Sequence, residues 1–186
     1  MPGGMSVTKK FFFDTEFNDE VGDCRVEPIS IGLVTECGGM AYYGVSNEFN
    51  EAAAHQWLKD NVIPKLPPFV QRIPLKVMRE EIIGFFAESA PPNGEEGKAQ
   101  LWGKNPGGDM ITLGLIFGGL SKFYTAMNEI GFRRTYFNDT DTLRTQLFER
   151  FIKPPRLTVE EADRHTAIGD AIQEREEYRM MKILLP

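Results

Sequence analysis

The chain has 186 residues, 41% of them hydrophobic, with 14 phenylalanines and a formal net charge of −6 from 21 basic and 27 acidic side chains. That length fits one domain spanning residues 1–186, and the apolar content supports a buried core and excludes a disordered chain. The acidic balance speaks against a protein that coats long nucleic acid by counterion release. It leaves room for an enzyme that grips a short stretch of phosphodiester through bound cations. No apolar run approaches the ~20 residues of a membrane span, and residues 1–8 lack the basic and apolar regions of a signal peptide. Cys24 and Cys37 are too few for a disulfide framework and match no zinc spacing, so a reducing cytoplasm is the expected setting.

In chain order, the first element lies in "KKFFFDTEFN" (9–18): residues 10–15 predict a short, continuously apolar strand buried on both faces in mid-sheet. "EPISIGLVTE" (27–36) is rich in β-branched residues and predicts a second strand; Gly38 and Gly39 mark a turn, and "MAYYGVSNEF" (40–49) returns as a third. "EAAAHQWLKDNVI" (51–63) predicts a helix that stops at Pro64, and "LKVMREEIIGFFAE" (75–88) a second, amphipathic one. "SAPPNGEEG" (89–97) reads as an exposed loop. "KAQLWGKN" (98–105) predicts a fourth strand, leading through Pro106, Gly107 and Gly108 into a helix over 109–117 opened by Asp109. "RRTYFND" (133–139) predicts a fifth strand, "DTLRTQLFERF" (141–151) a helix broken by "KPPRL", and about 166–184 a last helix with Ile168, Ala171 and Ile172 as its buried seam. The result is an α/β architecture: a mixed five-stranded sheet, a three-strand antiparallel meander plus two parallel strands, flanked by helices.

Acidic residues fall at informative places on this scaffold. Residues two apart on a strand share a face, roughly 7 Å apart, so Asp14 and Glu16 point together and Thr15 points away. Ligands of α/β sheets gather at the carboxyl ends of strands. Asp109 follows the fourth strand there, behind two glycines that permit close backbone approach. Bare carboxylates converging in a crevice repel one another unless a cation binds, and oxygen-only donors suit Mg²⁺ or Mn²⁺. Asp170 offers a fourth carboxylate from the last helix. His165, five residues earlier, diverges from it by about 140° on an ideal helix. The two can face one site only if His165 lies in the loop or first turn.

Asp-x-Glu on the first strand, a lone Asp after the fourth and His-x-x-x-x-Asp on the last helix together resemble the motifs of the DEDDh family. These are 3′–5′ exonucleases with an RNase H-like fold. "FFFDTEF", "ISIGLV", "YYGVSNEF" and "VIPKLP" resemble the branch of small mycobacterial-type 3′–5′ exoribonucleases more closely. The resemblance covers most of the chain and is weakest between 89 and 135, where "NPGGDM" is glycine-rich in place of bulkier residues. It implies a single exonuclease domain in which Asp14, Glu16, Asp109 and Asp170 hold two Mg²⁺ or Mn²⁺ ions and His165 is the general base. In that reading Asp14, Glu16 and Asp170 hold the ion that delivers water, and Asp14 with Asp109 steers the one at the departing 3′-oxygen. It also implies a single-stranded RNA 3′ end as substrate, a nucleoside 5′-monophosphate as product, and pairing into a homodimer. Single-stranded DNA or short oligonucleotides are the alternative substrates, and a nucleotide-binding protein that does not cut is the alternative class.

Other residues carry competing readings. Thr15, Phe17 and Asn105 are candidate substrate contacts. Phe17 would form a wall for a terminal base or simply fill the core, and Lys104 and Asn105 would touch a phosphate or base or merely close their loop. His55 and Asp60 repeat the His-x-x-x-x-Asp spacing inside a helix, in the wrong order relative to the other acids, and read as coincidence. Asp139 and Asp141 read as a turn and a helix cap. Glu174, Glu176 and Glu177, interleaved with Arg175 and Arg179, read as a solvated helix face.

Overall fold

A computed structural model describes residues 7–21, 25–92, 95–158, 160 and 164–185 of the chain. Five strands, β1 (Val7–Val21), β2 (Arg25–Thr35), β3 (Ala41–Val45), β4 (Gly97–Gly103) and β5 (Phe132–Asp139), form one sheet in the order β3-β2-β1-β4-β5. β1 pairs antiparallel with β2, and β2 with β3; β1 pairs parallel with β4, and β4 with β5. This is the mixed meander-plus-parallel sheet that the sequence predicts.

The phenylalanine run makes β1 the centre of the molecule. Successive side chains on a strand alternate faces, so Phe11 and Phe13 enter one core and Phe12 the other, and all three are fully buried. Phe11 and Phe13 pack with Met78, Ile82 and Phe86 of α2 (Leu75–Glu88), Leu113 and Ile116 of α3 (Gly107–Phe117), and Phe123 and Met127 of α4 (Leu120–Glu129). Phe12 packs with Leu143 and Leu147 of α5 (Asp141–Glu149) and with Ala171, Tyr178 and Met181 of α6 (Ala167–Leu184). Each buried Phe is worth about 1.5–3 kcal/mol, which anchors the strand that carries Asp14 and Glu16.

Several elements differ from expectation. β1 runs to Val21 rather than stopping at residue 15, and its pairing with β2 slips after Glu16, where Ile29 is skipped. The helix expected over 51–63 is broken. The Asn50 side chain accepts from the Ala52 and Ala53 amides and closes a 3-10 turn (Glu51–Ala53), and His55 at φ −68, ψ 162 restarts the chain as α1 (Gln56–Asn61). His55 therefore caps a short helix rather than sitting inside a long one. α4 has no counterpart in the sequence reading. Gly118 (φ +70) and Gly119 (φ +138) end α3 in conformations that only glycine adopts readily, and Phe123 and Met127, one turn apart, bury the face of the helix that follows. On α6, Ala167, Ala171, Tyr178 and Met181 form the buried seam, whereas Ile172 is exposed. Cys37 is exposed and Cys24 lies outside the described residues. Among the described residues, no single helix is long and apolar enough to cross a membrane.

Candidate active site

Asp14 and Glu16 share the β1 face that α6 covers. Opposite Asp14 in the ladder stands Gly32. A β-carbon at Gly32 would lie 2.3 Å from the carbonyl oxygen of Ala167, so the bare glycine lets the first turn of α6 settle directly on the sheet. Asp170, in that turn, thereby reaches Asp14 and Glu16 on β1. One carboxylate oxygen from each of Asp14, Glu16 and Asp170 lies within 4.8 Å of the other two.

Asp109 arrives from the other side of β1, in the first turn of α3, and is buried. Its Oδ1 accepts hydrogen bonds from the Thr15 amide at 2.9 Å and the Thr15 hydroxyl at 2.7 Å. Thr15 does turn away from Asp14 and Glu16, as expected. It is buried, and both its amide and its hydroxyl are given to Asp109. Gly108 makes room for Phe17: a β-carbon there would lie 2.5 Å from the half-buried phenyl ring. The glycines of "NPGGDM" thus have a packing reason. Asn105, at φ +48, is exposed, and its amide donates to Asp139 Oδ1 at 2.9 Å; the Asp141 amide donates to the same oxygen at 2.9 Å. Asp139 is the turn residue expected there, and Thr140 takes the cap position expected of Asp141.

The electrostatics follow from this crowding. Burial, then Asp109, Glu16 and Asp170, holds the Asp14 carboxyl well above its ordinary value. Glu16 is pushed up to about 8 by burial and by Asp170 and Asp109, against the pull of Lys65. Burial also raises Asp109, opposed by the two Thr15 bonds. Asp170 is raised by burial as well, opposed by the charge and backbone hydrogen bond of His165 and by Lys104 and Lys65. Four carboxylates that resist ionising side by side, three of them with converging oxygens, fit a hard divalent cation, whose charge relieves the repulsion.

His165 sits in the turn before α6 at φ +56, ahead of Thr166, whose hydroxyl caps the helix by accepting from the Gly169 amide at 3.1 Å. The condition for His165 and Asp170 to serve one site is met. Both line a cleft of about 830 Å³ that also takes in Asp14, Lys104, Arg156 and Arg164.

Sequence reading missed a buried layer behind the acids. Glu174 and Glu177 are buried, not solvated. Arg144 Nη2 donates to Glu174 at 3.1 Å and to Glu177 at 2.6 Å, and the Thr140 hydroxyl donates to Glu174 at 2.6 Å. Glu174 lies one helical turn beyond Asp170, a spacing that places it on the same face and was the available signal. Trp57, whose ring meets that of His165, and Lys65, which bonds the carbonyl of Arg164, had none.

No family model matches the chain. Among solved structures, the fold is that of the DEDDh nuclease domains, RNase H-like sheets flanked by helices. The nuclease domain of 3′hExo, a DEDDh family member solved bound to rAMP, superposes with a TM-score of 0.53 at 12% identity, covering 94% of this chain and 92% of that one. Cell-death related nuclease 4 gives 0.51 at 11% identity, covering 95% and 64%. In sequence, the chain is similar to two curated 3′-5′ exoribonucleases of Mycobacterium tuberculosis, 46% identical over 59 residues. That match spans 32% of this chain and about a third (33%) of each relative.

Proposed function

We propose that the protein is a divalent-metal-dependent 3′–5′ exoribonuclease that releases nucleoside 5′-monophosphates from RNA ends. The observation that carries this reading is the convergence of Asp14, Glu16 and Asp170 within 4.8 Å, with His165 lining the same cleft. The similarity to mycobacterial exoribonucleases and to a nuclease domain bound to rAMP supports RNA as the substrate.

In this reading Asp14, Glu16 and Asp170 hold one Mg²⁺ or Mn²⁺, and Asp14 with Asp109 a second. When bound, the ions neutralise the phosphodiester and make water nucleophilic near neutral pH. The chain's own residues do the rest. Thr15 occupies Asp109 Oδ1 with two hydrogen bonds, which leaves the second oxygen as the donor that would hold an ion. An imidazole nitrogen of His165 takes the proton of the attacking water, as a general base held in the cleft. As the water oxygen bonds to phosphorus, the bond to the 3′-oxygen of the preceding nucleotide breaks; that oxygen keeps the electron pair and takes a proton from solvent, and the phosphate stays on the 5′-oxygen of the released terminal nucleotide. Lys104, exposed at the rim, brings positive charge to the incoming backbone. Phe17 offers an aromatic edge next to Glu16 on β1.

The test is digestion of end-labelled RNA and DNA oligomers with Mn²⁺. Trimming of RNA from the 3′ end, lost in Asp14→Ala and His165→Ala, is the expected result. Wild-type trimming by either variant overturns the reading, and equal rates on DNA remove the RNA preference.

A further inference from the structure

The His165 turn leans on a part of the molecule that the chemistry above does not use. The indole of Trp57 meets the His165 imidazole edge-to-face, with ring centroids 5.1 Å apart and planes at 79°. The same indole stacks with His55 at 6.3 Å and 25°. A second tie lies one residue away: Lys65 Nζ donates to the carbonyl oxygen of Arg164 at 2.6 Å. His165 itself stands at φ +56, a region that residues other than glycine adopt only when their surroundings impose it.

The block that carries Trp57 and Lys65 has a core of its own. Leu58 of α1 and Val62 just past its end are buried with Ile29 of β2, Phe49 and Ala54. The block is thus fastened to the sheet and gives the turn two ties, a ring against His165 and an ammonium on the carbonyl of Arg164. Trp57 is 47% exposed, so filling a core is not its task. Its ring is spent on the two histidines.

We propose that Trp57 and Lys65 are positioning residues for His165, holding its strained turn and its ring orientation over the acidic cluster. The inference rests on His165 being the proton acceptor of the proposed reaction. A base displaced by about 1 Å can lose on the order of a hundredfold in rate, whereas substrate and cation are held by other groups. The contact should therefore show in kcat and not in KM.

Two measurements test this. In the first, Trp57→Ala and Trp57→Phe are assayed on RNA with Mn²⁺. Trp57→Ala is expected to lower kcat about ten- to hundredfold with KM and Mn²⁺ stoichiometry unchanged, and Trp57→Phe, which keeps an aromatic edge, to restore most of it. A wild-type kcat in Trp57→Ala overturns the proposal. So does a raised KM at constant kcat, which would make Trp57 a platform for a base. In the second, the ring resonances of the two histidines are read by NMR, assigned with His55→Gln. The His165 signal should be displaced by the indole in wild type and relax toward its unfolded position in Trp57→Ala, and an unmoved signal overturns the proposal. This arm needs no turnover. If His165→Ala keeps the wild-type rate, the assignment of His165 as base fails, and the proposal fails with it, while the NMR result still reports whether the contact exists.

Discussion

Thr15 places two donors on one oxygen of Asp109, its amide at 2.9 Å and its hydroxyl at 2.7 Å. The residue between the two β1 acids thus orients a third acid from the opposite face of the sheet. Replacing the hydroxyl by a methyl, Thr15→Val, keeps the shape and the amide bond. About 1 kcal/mol of stability should be lost, measurable by urea unfolding. Because the Thr15 bonds pull the Asp109 pKa down, their weakening should raise it. The acid side of the pH–rate profile should then move to higher pH.

Without cations the acids destabilise the fold, and the sign of the pH dependence follows. Glu16 rises from 4.5 to about 8 in the folded chain, so between those values the folded state binds more protons than the unfolded one. Stability then falls as pH rises through that window, and the penalty is absent below it. Asp14, Asp109 and Asp170 shift in the same direction. In EDTA the Tm should be higher at pH 5 than at pH 8, each kcal/mol being worth about 2–4 °C in a chain of this size. Mn²⁺ should close the gap by binding the ionised folded state. Asp14→Asn should raise the metal-free Tm at pH 8 and cut nuclease activity more than about a hundredfold, beyond the usual loss for a merely supporting group. A metal-free Tm that climbs from pH 5 to pH 8 would contradict the crowding account.

Arg144 is the one cation bonded to both Glu174 and Glu177 among the described residues. Arg144→Met strands two buried carboxylates, and breaking a buried pair in this way costs about 3–5 kcal/mol. Denaturant unfolding at neutral pH should show that loss. At acid pH the two carboxylates are protonated and the difference between variant and wild type should shrink.

Gly32 separates positioning from stability. In Gly32→Ala the new methyl meets backbone atoms of Ala167 and Ile168, at 2.3–2.4 Å, so α6 must move away from the sheet. Overpacking of this kind costs about 1–3 kcal/mol. Asp170 moves with the helix, so Mn²⁺ affinity by calorimetry should fall more than Tm does. Gly84→Ala, exposed in mid-α2 where nothing lies within 4 Å, is the matched control: alanine's better helix propensity should raise Tm slightly and leave Mn²⁺ affinity unchanged.

How far the sequence reaches is clearest at β1. Alternation alone places Asp14 and Glu16 on one face, and three phenylalanines followed by acids mark a buried strand, although that strand runs on to Val21. The bounds of α2 are legible to the residue because its apolar pattern is uninterrupted. Legibility stops where a local rule meets a long-range partner. Glu174 and Glu177 look like surface charges until Arg144 arrives from another helix. The 51–63 segment has helical composition, yet the Asn50 side chain and the extended His55 divide it. α4 is short and follows two glycines, and its signal, Phe123 and Met127 one turn apart, is too brief to stand out.

By itself, the sequence determined the kind and order of the elements and which acids are candidates. Periodicity and turn chemistry act between residues close along the chain, and those need no knowledge of the rest. Only the tertiary structure decided that Asp170 reaches Asp14 across a bare glycine, that Thr15 serves Asp109, and that Trp57 braces His165. Each of these is an ångström-scale contact between segments far apart in sequence, set by how closely two backbones can approach.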